Sequence, residues 1–214
     1  MKNQTYKNTA LEALKGNWAP AVLAAVIFVV IIAIWTTPRE ISALSSTLGM
    51  SSKLILSGVS LVLGLLVVFP VEIGIMNAYR NLLDGDSDVV GNLFRNSIEG
   101  YFRNIWCYLL YFLLVMLWTI LLIVPGIIMA MAYAMTPFIL KEHPEYSVVK
   151  ALEESRHMMS GHKWEYFVLQ LSFIGWILLS ILTLFIGLFW LEPYMLTTNA
   201  AFYEDIKAQY ESQE

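Results

Sequence analysis

Two glutamates stand inside apolar stretches of this chain, where an ionisable side chain suggests a function. Glu72 follows Pro70 by two residues, and Asn77 lies further along the same stretch. An ionisable group within a bilayer is costly and often marks an ion, proton or substrate site. Pro70 also leaves a helix carbonyl unpaired, which could line a polar cavity. Glu72 is therefore the strongest candidate; the alternatives are local water or an ion pair with Arg80.

Glu192 is the second candidate, and it precedes Pro193 and Tyr194 in another apolar stretch. If Glu72 and Glu192 faced each other, they could form a proton or cation site, with Asn77 and Tyr194 as polar neighbours. The favoured alternative places Glu192 near the outer surface, where it meets water, because its helix begins only a few residues earlier.

Motifs of other chemistry are missing from the sequence. The chain has one cysteine and three histidines, and no two histidines have the four-residue spacing of a helical metal pair. It has no G-x-S-x-G, H-E-x-x-H or phosphate-binding loop. We therefore predict no catalytic residue, no cofactor and no metal ligand.

The composition indicates a membrane protein. Of 214 residues, 58% are hydrophobic and only 14% are charged, whereas soluble domains carry about 25% charged residues. The net charge of -4 and the scattered cations do not suggest nucleic-acid binding. The expected surroundings are a lipid bilayer, with a membrane protein partner or a homo-oligomer as possible associations.

Six apolar stretches predict an all-α, polytopic membrane helical bundle that forms a single domain over residues 1–214. A bilayer core needs about 20 apolar helical residues, and the stretch 164–203 is long enough for a hairpin that turns near 183–187. A version with only five spans, in which residues from 191 onward lie on the surface, stays open. The predicted spans are 18–35, 54–78, 105–124, 127–140, 164–182 and 188–201, and Pro125-Gly126 breaks the chain between the third and the fourth.

The distribution of cations predicts the orientation. Short cytoplasmic segments are enriched in Lys and Arg. With six spans, 11 of the 13 Lys and Arg residues fall on one side, and only Arg39 and Lys53 fall on the other. Both termini are therefore expected in the cytoplasm.

A faint internal repeat is present. Shifting the chain by 61 residues aligns Gly100 with Gly161 and Gly126 with Gly187, and the segment 10–18 loosely echoes 151–164. We interpret this as three units, each an amphipathic segment followed by a membrane hairpin. Transporter folds contain such repeats, and a duplicated scaffold would look the same.

The amphipathic segments have helix-start signals. Thr9 and Glu12 form a possible capping box. Ser147 could cap a helix whose Val148, Leu152 and Met159 line one side. Such helices could lie among lipid headgroups or pack as connectors beneath the bundle.

Small residues predict close helix packing. Gly126, Ala130 and Ala134 recur every four residues, and Gly74 with Ala78 repeats the spacing. Such spacing allows helices to approach closely. Packing within the chain is the expected use, and dimer formation is the weaker alternative.

Two segments resemble a bacterial integral membrane family catalogued as domain of unknown function 975. They are the stretch PGIIMAMAYAMTPFILKEHPEYS and the segment from KALEESRHMMSGHKW to NAAFYEDI. The N-terminal ALEALKGNW is also similar to the start of that family. The resemblance implies a multi-pass protein of the bacterial cytoplasmic membrane. It implies no activity and no catalytic residue.

We therefore expect a non-enzymatic scaffold or regulator of a membrane complex or of the envelope. The alternative is a small transporter or permease-like protein that uses the intramembrane carboxylate of Glu72.

Overall fold

The structure is a computed structural model that describes residues 2–44, 48–121 and 123–212. Within these ranges the chain forms helices and turns and no strand, which confirms the all-α prediction. The helices are α1 (Lys2–Leu14), α2 (Trp18–Leu44), α3 (Met50–Leu63), α4 (Phe69–Leu83), α5 (Val89–Ile98), α6 (Tyr101–Leu121), α7 (Ile123–Ala132), α8 (Thr136–Glu142), α9 (Val148–Met158), α10 (Lys163–Leu171), α11 (Ile174–Leu182) and α12 (Leu188–Glu211).

Five stretches of the described residues are long and apolar enough to cross a membrane. Large apolar side chains on them are exposed, for example Leu54, Ile120 and Leu182 at 66%, 70% and 80%. Such exposure is compatible with insertion in a membrane, because hydrocarbon chains solvate apolar groups. Helix α12 is not among the five, so the sixth span stays a prediction. The five stretches are Trp18–Trp35, Met50–Leu83, Tyr101–Ile120, Val124–Glu142 and Lys163–Leu182.

The second apolar stretch is longer than predicted. Helices α3 and α4 are joined by a π-helical turn, Gly64–Val68, and together they form a helical segment of 34 residues. Pro70 has no N–H for the carbonyl of Leu66 four residues earlier. That carbonyl accepts a hydrogen bond from the Tyr101 hydroxyl instead. The Leu66 carbonyl is thus bonded to the start of α6.

The predicted span 127–140 consists of two helices, because Ser155 of α9 holds a turn between α7 and α8. The buried Ser155 hydroxyl donates to the Ala132 carbonyl at 2.9 Å and accepts from the Met135 N–H at 3.2 Å. The predicted break at 125–126 lies inside α7. Helix α6 ends at Leu121, before the predicted end of its span at 124, and position 122 lies outside the described residues.

Helix α12 holds two buried clusters together. One cluster includes Phe138 of α8, whose ring stacks on Tyr203 of α12 at 5.0 Å. The other lies between α2, α4 and α5, and Tyr194 of α12 packs against both clusters. Helix α12, including its C-terminal half, therefore organises the bundle from its interior.

The same half of α12 joins an ionic network at one end of the bundle. Arg80 of α4 donates from Nε to Glu204 at 2.6 Å and from Nη2 to Glu142 at 3.3 Å. Glu142 also accepts from the Tyr203 hydroxyl at 2.6 Å and from Lys207. Helices α4, α8 and α12 are thereby joined through charged side chains.

Helix α1 is a packed connector. Tyr6 is buried, and its single hydroxyl hydrogen is shared between Asp205 at 2.8 Å and Glu165 at 3.1 Å. Burial and the hydrogen bond to Asp205 raise the pKa of Tyr6. The capping box predicted at Thr9 and Glu12 is wrong, because α1 begins at Lys2 and the Thr9 hydroxyl donates to a carbonyl one turn earlier, within the helix.

Helix α9 matches its predicted start. The Ser147 hydroxyl accepts from the Lys150 N–H at 3.2 Å and caps the helix. Val148, Leu152 and Met159 are buried, as expected for one packed face. Helix α9 therefore packs on the bundle through this face.

A short helix precedes a pair of longer helical segments three times along the chain. At each junction a glycine has a left-handed φ: Gly16 at 85°, Gly100 at 66° and Gly161 at 88°. Residues with a Cβ adopt this conformation rarely. The shared junction agrees with the predicted three units, whose common origin stays a prediction.

The small residues of the fourth span have different surroundings. A Cβ added at Gly126 would overlap the Thr119 hydroxyl and lie 2.9 Å from Thr119 Cα. Gly126 thus allows α7 to lie against α6. Ala130 is half-buried on α7, whereas Ala134 lies beyond the end of α7, in the turn before α8. The three residues therefore do not form one helix stripe.

Candidate binding cavity

Glu72 faces a cavity of about 260 Å³. The walls come from α4, α6, α8, α10, α12 and the turn that follows α7. Their most frequent side chain is tyrosine, which combines an aromatic ring with a hydroxyl. The lining residues are Glu72, Met76, Cys107, Tyr108, Tyr111, Tyr133, Ala134, Thr136, Pro137, Tyr166 and Leu196.

The Glu72 carboxylate is half-buried and has no cationic partner among the described residues. The Tyr108 hydroxyl faces this carboxylate and also contacts Met76 Sδ at 3.7 Å. Arg80, the partner considered from the sequence, forms its ion pairs with Glu142 and Glu204 instead. The Glu72 carboxyl group thus has no ion-pair partner among the described residues of the cavity.

Asn77 lies behind the cavity wall. It is fully buried, and its Nδ2 donates to the carbonyls of Ile73 at 3.0 Å and Pro137 at 3.2 Å. Its Oδ1 has no hydrogen-bond partner among the described residues. Because Pro137 lines the cavity, Asn77 positions part of the wall and does not belong to the lining.

Glu192 and Tyr194 do not join Glu72. Neither residue lines its cavity. Glu192 is half-buried and interacts electrostatically with Tyr79 of α4. Tyr194 lines a separate pocket of about 380 Å³ that also contains Trp18, Trp176 and Trp190. Side chains two residues apart on a helix, such as those of Glu192 and Tyr194, point in nearly opposite directions. The site predicted from the sequence is therefore divided among separate locations.

Four tyrosines of the cavity were not among the predicted site residues. Tyr108 and Tyr111 lie three apart on α6, a spacing that places them on one helix face. That spacing was a usable signal. Tyr133 lies in the turn after α7, and Tyr166 lies on α10. No local sequence pattern indicates that these two segments meet at the cavity.

A carboxylate surrounded by aromatic rings is suited to binding a cation. Aromatic faces attract cations, and quaternary ammonium groups are recognised by such cages. The tyrosine hydroxyls can also donate or accept hydrogen bonds. Within the ranges 2–44, 48–121 and 123–212, no group of three His, Cys, Asp or Glu residues could hold a metal.

Comparison with known proteins places the chain in a family. Residues 55–210 match the model of a family described as "Protein of unknown function (DUF975)". No curated protein matches the chain, and no solved structure matches it. The matched region covers most of the 214 residues and confirms the resemblance stated from the sequence. The chain belongs to the DUF975 family.

Proposed function

We propose that this chain is a multi-pass protein of the bacterial cytoplasmic membrane that binds a small organic cation in the Glu72 cavity. A permease-like protein would use such a site. The observation that carries the proposal is the Glu72 carboxylate, which has no cationic partner among the described residues and lies among four tyrosines. We propose no catalytic step, because the cavity pairs Glu72 with no second carboxylate or histidine.

We also propose that α12 supplies a sixth span and that both termini lie in the cytoplasm. If α12 crosses the membrane, 11 of the 13 Lys and Arg residues fall on one side, which is the asymmetry expected of cytoplasmic segments. Packing gives further support, because Thr197, Thr198 and Ala200 of α12 are fully buried. A helix with such an interior position is more consistent with crossing the bilayer than with lying on its surface.

The scaffold or regulator function expected from the sequence is the second candidate. The exposed apolar side chains of α2, α3 and α6 are what lipid contact requires. They therefore give no separate support for a protein partner. Small residues at Gly74 and Gly126 are used in contacts within the chain, so they do not favour a dimer either.

Ligand binding to the purified protein tests the proposal. The probes are tetramethylammonium, choline and ethanolamine, compared with sodium and potassium, and the readout is the shift of thermal unfolding in detergent. Glu72→Gln keeps the size of the side chain and removes its charge. We expect affinity for an organic cation to fall by about tenfold or more, since a charge pair in a partly buried site is lost.

Glu192→Gln is the matched control, because it removes a half-buried carboxylate that lies outside the cavity. It should leave cation binding unchanged. Uptake of the bound cation into proteoliposomes then separates transport from binding alone. The proposal fails if no organic cation shifts the unfolding of the unmodified protein, or if Glu72→Gln binds it equally well.

A further inference from the structure

A groove outside the Glu72 cavity brings two cations next to apolar helix surface. It has a volume of about 760 Å³ and lies between α6, α9 and the start of α10. Leu110 and Leu114 of α6 form an apolar wall. Arg156 of α9, Ser160 of the turn after α9 and Lys163 of α10 form the polar side.

Among the described residues neither cation is paired with a carboxylate, although Arg156 interacts electrostatically with Tyr133 of the same groove. Among the described residues, no ion pair or hydrogen bond involves the side chain of Arg156 or Lys163, whereas Arg80, Lys141 and Lys207 are all paired with carboxylates. Two cations in one groove, neither paired with a carboxylate, favour an anionic ligand.

The groove contains one acidic residue, Glu153, which lies 3.9 Å from His157 on the same helix. The permanent charges of the groove are thus two positive and one negative. Glu153 and Arg156 are both exposed and Lys163 is half-buried, so solvent screens Glu153 and Arg156 alike, and the excess of one positive charge remains. The local balance remains favourable to an anion.

The apolar side of the groove belongs to a candidate membrane span. Leu110 and Leu114 are one turn apart on α6, within the stretch Tyr101–Ile120. Trp164, next to Lys163 in the chain, is 72% exposed, and exposed tryptophan is typical of the bilayer interface. The groove therefore meets both the headgroup region and the hydrocarbon.

We propose that this groove binds a phospholipid with an anionic headgroup, such as phosphatidylglycerol. The phosphate lies between Arg156 and Lys163, Ser160 donates a hydrogen bond to the headgroup, and the first part of an acyl chain lies along Leu110 and Leu114. Basic pockets between membrane helices are suited to anionic lipid headgroups. An acyl chain satisfies the apolar wall, which a free phosphate ion would not.

This proposal is independent of the Glu72 cavity, although Tyr133 lines both. Glu72→Gln should leave lipid retention unchanged. Replacing the groove cations should leave binding of organic cations unchanged. Failure of either proposal can thus be recognised separately.

The test is native mass spectrometry of the protein reconstituted in an equimolar mixture of phosphatidylglycerol and phosphatidylcholine. We expect preferential retention of phosphatidylglycerol. Each cation near a membrane surface contributes about fivefold to the affinity for anionic lipid, so Arg156→Gln and Lys163→Gln should each reduce retention about fivefold. The double variant should reduce it about 25-fold.

Lys15→Gln is the control, because Lys15 is an exposed cation of another segment; its lipid retention should match that of the unmodified protein. Arg156→Lys keeps the charge and should keep most of the preference, even if the double variant does not fold. Equal retention of the two lipids by the unmodified protein, or unchanged retention by both single variants, overturns the proposal. Displacement of the lipid by excess inorganic phosphate also overturns it, since the ligand would then be a soluble anion.

Discussion

Gly74 of α4 lies so close to α5 that one added methyl group should destabilise the protein. A Cβ at this position would overlap the Ser97 hydroxyl and lie 2.5 Å from the Leu93 carbonyl oxygen and 3.0 Å from the Ser97 nitrogen. The Ser97 hydroxyl donates to the Leu93 carbonyl at 2.6 Å. Alanine must therefore push back α5 backbone atoms as well as a side chain.

The size of the effect follows from three contributions. Overpacking of a close contact costs about 1–3 kcal/mol. Disturbing the Ser97 hydrogen bond costs about 1 kcal/mol. The higher helix propensity of alanine recovers about 1 kcal/mol. We expect Gly74→Ala to lower the free energy of unfolding by about 1–3 kcal/mol, which is about a 5- to 150-fold change in the folding equilibrium.

Reversible unfolding in mixed micelles, followed by helix content, measures this change. Gly58→Ala is the matched control in the same helical stretch, because a Cβ added there meets no atom within 4 Å. The control should be neutral or stabilising by up to about 1 kcal/mol. If Gly74→Ala behaves like Gly58→Ala, the close approach of α4 and α5 is not a feature of the folded protein.

Three further predictions concern the segments between the spans. Ser155→Ala should destabilise by about 1–3 kcal/mol, because the buried Met135 N–H loses its acceptor; chemical unfolding measures it. Ser147→Ala should lower the stability of α9 by about 1 kcal/mol, because the helix loses its cap. Hydrogen exchange measures it as faster exchange of the amides at the start of α9. The hydrogen bond from Lys141 lowers the pKa of Glu99. The contribution of this ion pair to the stability of the protein is therefore present at neutral pH and is lost as acid protonates Glu99. Unfolding titrations between neutral pH and pH about 3 should show a small loss that Glu99→Gln abolishes.

Much of the helical architecture could be predicted from local patterns. An apolar stretch of sufficient length indicates a membrane helix by itself, because its length and composition are enough and no tertiary contact is needed. Ser147 and the apolar face of α9 were also readable, because a cap and a 3.6-residue period act within a few residues.

Other features depend on partners that are distant in the chain. The predicted end of the last span at 201 precedes a run of charged residues, yet α12 continues to Glu211. Those charges are satisfied within the bundle: Glu204 pairs with Arg80, and Asp205 accepts from Tyr6. Local sequence signals cannot supply such partners, and the tyrosine cavity was missed for the same reason.

The interior position of α12 has a consequence for biosynthesis. Arg80 leaves the ribosome before either of its carboxylate partners, and Glu204 follows it by 124 residues. At about 5–20 residues per second, that interval is about 6–25 s. For about the first half of this time α4 has neither Glu142 for its charged end nor the Pro137 carbonyl for Asn77. The early helices must therefore be held at the insertion machinery, or kept near water, until the C-terminal segment is translated and closes the bundle.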